Sequence, residues 1–208
     1  MQILLIDDHS LFRDALALLI AHRFPDISVL HAGSLEEARR TIADEPALRL
    51  ALLDLALPDS RGIDAVHTLK TMAEHLTVVV VSADERPETV LAAIDAGAAG
   101  FIPKTARKAM LEEALETVLD ARVFLPRQAI TDLAPLQPHD DTLDFSPRQR
   151  DVLRLLIEGK PNKTICRELD LSESTVKTHL AAIFRKLDVA SRTQAVLAAA
   201  RLGLRLSA

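Results

Sequence analysis

Residues 50–58 read LALLDLALP, an apolar run of four that stops at an acid, Asp54. A run this short without polar alternation reads as a strand covered on both faces, because a strand with one wet face would alternate. Working outward, four more apolar runs stand at residues 3–6, 29–30, 78–81 and 101–102. Amphipathic helical patterns lie between and after them at 10–21, 34–43, 62–73, 87–96 and 107–119, several opened by Ser or Pro. Strand and helix in alternation imply a five-stranded parallel sheet covered on both faces, an α/β doubly wound fold.

The pattern stops past Leu119, where Pro126, Pro135 and Pro138 with Asp140, Asp141 and Asp144 have the composition of a linker. From Phe145 onward four helical patterns follow with no strand run, so a small all-α domain is expected. The expected organisation is a domain over 1–120, a linker over 121–144 and a second domain over 145–208. At 208 residues and 49% hydrophobic, the chain is long enough for two small cores. Residues 1–120 carry 20 Asp and Glu against 11 Lys and Arg, whereas residues 145–208 carry 6 against 12. An acidic front and a basic back suit different partners, with a polyanion the natural one for the back. The single cysteine, Cys166, excludes an intrachain disulfide and a Cys-rich zinc site, and its apolar helical neighbours read it as a small buried hydrophobe. No secretion signal and no apolar stretch of about 18 residues stands out, so a cytoplasmic protein with no membrane partner is expected.

In an open parallel sheet, ligand chemistry collects at the carboxyl ends of the strands. Asp7 and Asp8 follow the first strand, Asp54 the third, Ser82 the fourth and Lys104 the fifth. Taken singly these residues read as turn formers, caps or solvated charges. Taken together they read as a site, because three gathered carboxylates repel unless a cation joins them, and an oxygen-rich site suits Mg²⁺. A lysine opposite balances an anionic phosphoryl group, and Ser82 adds a hydroxyl.

These residues resemble the receiver domain of two-component response regulators: Asp7-Asp8, Asp54 within Leu53-Asp54-Leu55-Ala56-Leu57-Pro58, Ser82-Ala83, and Gly100-Phe101-Ile102-Pro103-Lys104. The resemblance implies strand order 2-1-3-4-5 and a phosphoacceptor at Asp54. It further implies Mg²⁺ held by Asp8, Asp54 and the backbone carbonyl of Ala56, with Asp7 acting through water. Lys104 would pair with the phosphoryl group, Ser82 would move to it, and Phe101 would follow as an aromatic switch. Ser82 stands where threonine is commoner and Thr105 where many receivers have proline; neither change removes a donor. Ala56 and Asp84 occupy positions that influence the lifetime of the phosphorylated state in that family.

In the tail, Ser146-Pro147-Arg148-Gln149 is a capping box with proline at the first helical position. A second helix is expected over Asn162–Leu169, a turn at Asp170-Leu171, and a third helix capped by Ser172 and running to about residue 187. Val176, Leu180, Ile183 and Leu187 mark its core face; Lys177, Thr178, Ala181 and Arg185 mark the other side. The segments 145–153 and 171–179 resemble LuxR-type helix-turn-helix domains, which with a receiver in front is the NarL/FixJ-type architecture. That resemblance implies DNA contacts from Ser172, Thr175, Lys177, Thr178, Ala181 and Arg185. It also implies a homodimer on promoter DNA through Val196, Ala199 and Leu202 of the last helix. Asp170 replaces the usual glycine or asparagine at the turn, and Ala181 is shorter than the basic side chain some members place there.

The leading expectation is a transcription regulator, not an enzyme, with a sensor histidine kinase, double-stranded promoter DNA and RNA polymerase as partners. Two competing readings remain at this stage. One is a Mg²⁺-dependent phosphohydrolase with an aspartate nucleophile, against which the basic helical tail argues. The other is an interaction protein that binds DNA constitutively or responds to a small ligand, with the front domain only a docking module.

Overall fold

A computed structural model of the chain describes residues 1–120, 122–125 and 145–202. Five strands form one sheet: β1 (Gln2–Ile6), β2 (Ser28–Ala32), β3 (Leu50–Leu53), β4 (Thr77–Ser82) and β5 (Gly100–Pro103). Their order is β2-β1-β3-β4-β5, and every neighbouring pair is parallel. Five helices alternate with them: α1 (Ser10–Arg23), α2 (Leu35–Asp44), α3 (Asp64–Met72), α4 (Pro87–Asp95) and α5 (Lys108–Leu119). The four residues of β3 are all buried, as its unbroken apolar run requires.

The elements differ from their sequence patterns where the backbone overrides side-chain periodicity. Strand β2 runs beyond Val29 and Leu30 because it is an edge strand, so Ser28 and His31 join the ladder opposite Gln2 and Leu5 while facing water. Helix α3 begins at Asp64 rather than at Gly62, whose φ of 52° is incompatible with a right-handed helix. At the other edge Phe124 runs beside β5, its carbonyl accepting the Phe101 N–H at 3.0 Å. A Cβ at Gly100 would stand 3.0 Å from that same carbonyl oxygen, which explains the glycine there.

The chain divides into two compact units, the first holding the sheet. The second contains α6 (Pro147–Ile157), α7 (Asn162–Leu169), α8 (Glu173–Leu187) and α9 (Arg192–Arg201). Its core gathers Val152, Leu153, Leu156, Ile165, Val176 and Ile183, all buried, and Cys166 packs against them half-buried. Both expected caps form: the Ser146 hydroxyl accepts from Gln149 N–H and Ser172 from Thr175 N–H. Ser191 and Gln194 make a further reciprocal capping box on α9. The prolines and aspartates of the expected linker, Pro126, Pro135, Pro138, Asp140, Asp141 and Asp144, lie outside the described residues. Among the described residues no helix is long and apolar enough to cross a membrane.

Candidate functional site

The last rungs of the ladder place the polar residues that follow the strands. Asp7 N–H donates to the Ala32 carbonyl at 3.0 Å, Asp54 N–H to Ile6 at 2.8 Å, and Lys104 N–H to Ser82 at 2.8 Å. Each functional side chain is therefore held at one edge of the sheet by backbone that is still paired. A cavity of about 800 Å³ opens there, lined by Asp54, Ser82 and Lys104 at its base and by Phe12, Ile63 and Ala92 on its walls.

At the base, the Lys104 ammonium donates to Asp54 Oδ2 at 2.7 Å and lies 2.8 Å from Asp7 Oδ2. Its charge also sits 4.9 Å from the centroid of the Phe12 ring. Burial would lower the lysine pKa, and the hydrogen bonds and charges of Asp54 and then Asp7 reverse this and raise it. Asp8 is more exposed than Asp7 and Asp54, and its Oδ1 lies 2.7 Å from His9 Nδ1. One oxygen each from Asp7, Asp8 and Asp54 lies within 4.8 Å of the others. Three carboxylates near one ammonium leave negative charge uncompensated, and their oxygens fit a hard divalent cation such as Mg²⁺; the ring of His9 belongs to the same cluster.

The remaining pocket residues are held by their own loops. The Ser82 hydroxyl, buried, accepts from Asp84 N–H at 3.1 Å. Asp84 in turn is gripped by Arg86 and by the Thr89 hydroxyl, and these contacts, Arg86 first, hold its carboxyl far below the usual range. Phe101 is fully buried in β5, and Ala56 is exposed at the cavity wall. Sequence reasoning missed two supports. The Arg13 guanidinium donates to the Asp7 carbonyl, and Asp59 accepts from the N–H groups of Leu35 and Glu36, tying the loop after Asp54 to the start of α2. His9 was also missed, although its place directly after Asp7-Asp8 was a visible signal.

In the second unit, α7 ends on Asp170 in the left-handed region, φ 52° and ψ 51°, and Leu171 N–H returns to the Cys166 carbonyl. This tight turn separates α7 from α8, which packs against it. Val176 and Ile183 are buried and Leu180 nearly so, while Leu187 packs half-buried against the same cluster. On the opposite side Lys177, Thr178, Ala181 and Arg185 are exposed. Lys177 pairs with Glu173 one turn back at 2.7 Å, and Ser172, Ser174 and Thr175 share hydroxyl contacts at the first turn. Lys186 is not part of this face: its ammonium meets Gln149 Oε1 at 3.0 Å and stands 5.5 Å from the Phe145 ring centroid. Val196 on α9 and Leu202, the residue that caps its end, are half-buried, and Ala199 is buried.

Comparison with known proteins agrees with both units. Residues 3–116 match the response regulator receiver domain, and residues 143–199 match the luxR family of bacterial regulatory proteins. The glycerol metabolism activator of Pseudomonas putida is 36% identical over 208 residues, covering 95% of this chain and 94% of the relative. The nitrate/nitrite response regulator protein NarL of Escherichia coli is 34% identical over 202 residues, covering 94% and 93%. Among solved structures, the response regulator ChrA of a heme-sensing two-component system is 29% identical, with a TM-score of 0.51 over 98% of each chain. A LuxR-family DNA-binding response regulator from Silicibacter pomeroyi is 32% identical, with a TM-score of 0.55, covering 62% of this chain and 98% of that one.

Proposed function

Because the chain belongs to the two-component response regulators that join a receiver to a LuxR-type DNA-binding domain, we propose that phosphorylation of Asp54 switches its binding to promoter DNA. As a family member it is a transcription regulator and not a classical enzyme. Its receiver takes part only in its own phosphorylation and dephosphorylation. The proposed domains are a receiver over 1–120, a linker over 121–144 and a DNA-binding domain over 145–208.

The observation that carries this reading is the Lys104 ammonium joined to two buried carboxylates, Asp54 and Asp7, at the base of an open cavity. An oxygen of the Asp54 carboxylate attacks the phosphorus of a phosphohistidine on a sensor kinase. A P–O bond forms, the P–N bond breaks, and the departing imidazole keeps the electron pair and takes a proton from water. Lys104, already against Asp54 Oδ2, is within reach of an oxygen of the new phosphoryl group. Mg²⁺ held by Asp8, Asp54 and the Ala56 carbonyl, with Asp7 through water, would neutralise charge on the transferring group. Ser82 leaves the Asp84 N–H for a phosphoryl oxygen, and Phe101 shifts with it. The added charge of about −1.5 to −2 biases that surface.

The output rests on α8. Its exposed Lys177, Thr178, Ala181 and Arg185, with Ser172 and Thr175 at the first turn, suit entry into a major groove. Two copies would pair through α9 at Val196 and Leu202, with Ala199 packed behind, and read two half-sites in the cytoplasm where RNA polymerase is met. The test is to treat full-length protein with acetyl phosphate and Mg²⁺. One covalent phosphate per chain, absent in Asp54→Asn, together with tighter binding to a target promoter, is the expected result. Equal promoter binding by both forms would refute the switch.

A further inference from the structure

We propose that His9 is a nitrogen ligand of the receiver's divalent-cation site, so that this chain's pocket takes Mn²⁺ in preference to Mg²⁺. The inference rests on the reading of Asp8 and Asp54 as the cation's carboxylates. Lys104 serves Asp54 and Asp7, and the basic group against Asp8 is the His9 ring, with Nδ1 at 2.7 Å from Asp8 Oδ1 and 3.4 Å from Asp7 Oδ1. One ring nitrogen of His9 and one carboxylate oxygen from each of Asp7, Asp8 and Asp54 all lie within 4.8 Å of one another. His9 also lines the cavity that leads to Asp54.

Two features separate this ring from an ordinary surface histidine. Residue 9 is the N-cap of α1, yet its side chain makes no capping bond and turns to the carboxylates instead. Its backbone N–H donates to Asp7 Oδ1 at 2.9 Å, which ties the residue to the acidic cluster. Nδ1 is the ring nitrogen turned to Asp7 and Asp8, so it is the atom that would meet a cation held by these carboxylates. Oxygen and water suit Mg²⁺, whereas an added imidazole favours first-row transition ions, Mn²⁺ being the one closest to Mg²⁺ in its taste for carboxylates.

The experiment uses full-length protein without an affinity tag or phosphodonor, and titrates Mn²⁺ and Mg²⁺ separately by calorimetry. Wild type should bind Mn²⁺ more tightly, and His9→Gln should weaken Mn²⁺ by roughly tenfold while leaving Mg²⁺ within about twofold. Spin-echo spectra of the Mn²⁺ complex should show coupling to an imidazole nitrogen that disappears in His9→Gln. Absence of that coupling in the wild type, or an equal change for both ions, overturns the role of His9. Asp8→Asn separates the two levels: if it binds Mn²⁺ as well as wild type does, the cation lies elsewhere and the reading of the pocket itself fails.

Discussion

Replacing Lys104 by methionine removes the ammonium at the base of the pocket and keeps most of the apolar stem. In the wild type it stands 2.7 Å from Asp54 and 2.8 Å from Asp7, with side-chain exposures of 14% for the lysine and 1% and 6% for the carboxylates. Burial opposes the charge on Lys104 and the two carboxylates more than restore it, so the lysine's folded pKa lies above its ordinary 10.5. A base raised in this way contributes stability that is fully present below the unfolded value and lost as pH rises through the folded one, so neutral pH reads the whole effect. Removing one partner of a buried ion pair costs about 3–5 kcal/mol, and the open cavity beside the carboxylates places this case near 3. With a urea slope of about 2 kcal/mol/M, the unfolding midpoint should fall by about 1.5 M. Far-UV circular dichroism is the suitable signal, because the chain has no Trp or Tyr. Mg²⁺ at a hundred times its Kd adds about 2.7 kcal/mol to a folded state that binds it, enough to return most of the loss. A midpoint that stays where it was in metal-free buffer, or a drop that Mg²⁺ leaves unrepaired, would refute the electrostatic account of the pocket.

Three further outcomes are expected. Asp59→Ala removes the acceptor for the Leu35 and Glu36 N–H groups, at 2.8 and 2.9 Å, and should cost about 1 kcal/mol at neutral pH. Because the Leu35 N–H above all holds the Asp59 pKa below 3.8, this contribution is present above that value and lost as pH falls through the lower folded one. The urea midpoints of variant and wild type should therefore converge in strong acid. Arg192, kept charged although burial pulls its pKa down to about 10, donates to the carbonyls of Lys160 at 2.6 Å and Leu156 at 3.4 Å. Arg192→Met should cost about 2 kcal/mol and lower the melting temperature of the helical unit by on the order of 10 °C, measured by calorimetry. Lys177→Ala should weaken promoter binding and flatten its log–log salt slope by about 0.9, whereas Glu173→Gln, which frees Lys177 from its partner at 2.7 Å, should tighten binding in a gel-shift titration.

The sheet is legible in the letters because burial on both faces forbids polar residues for several positions running, as at Leu50–Leu53. Its edges are less so. Ser28 and His31 enter β2 only because β1 offers a paired backbone beside them, and a ladder bond does not depend on the side chain. The start of α3 was misread for a related reason: an apolar pattern begins near Gly62, but the positive φ there is a backbone property that periodicity does not register.

The same distinction separates polar contacts that topology fixes from those that it does not. Asp7, Asp54 and Lys104 each follow an apolar run, and parallel strands all end on one edge, so their meeting follows from topology alone. Asp59 and Arg192 owe their partners to loop paths, across 24 residues to Leu35 and 36 residues to Leu156, and no local pattern encodes such a path. His9 falls between these cases. Adjacency to Asp7-Asp8 makes its nearness to the acids legible, but the choice between capping α1 and facing Asp8 is a matter of side-chain rotation that only the coordinates resolve. Once the ring faces the acids, the pocket is no longer made of oxygen donors alone. Its metal preference then turns on one side chain that the receiver motif, read as carboxylates and a lysine, leaves out.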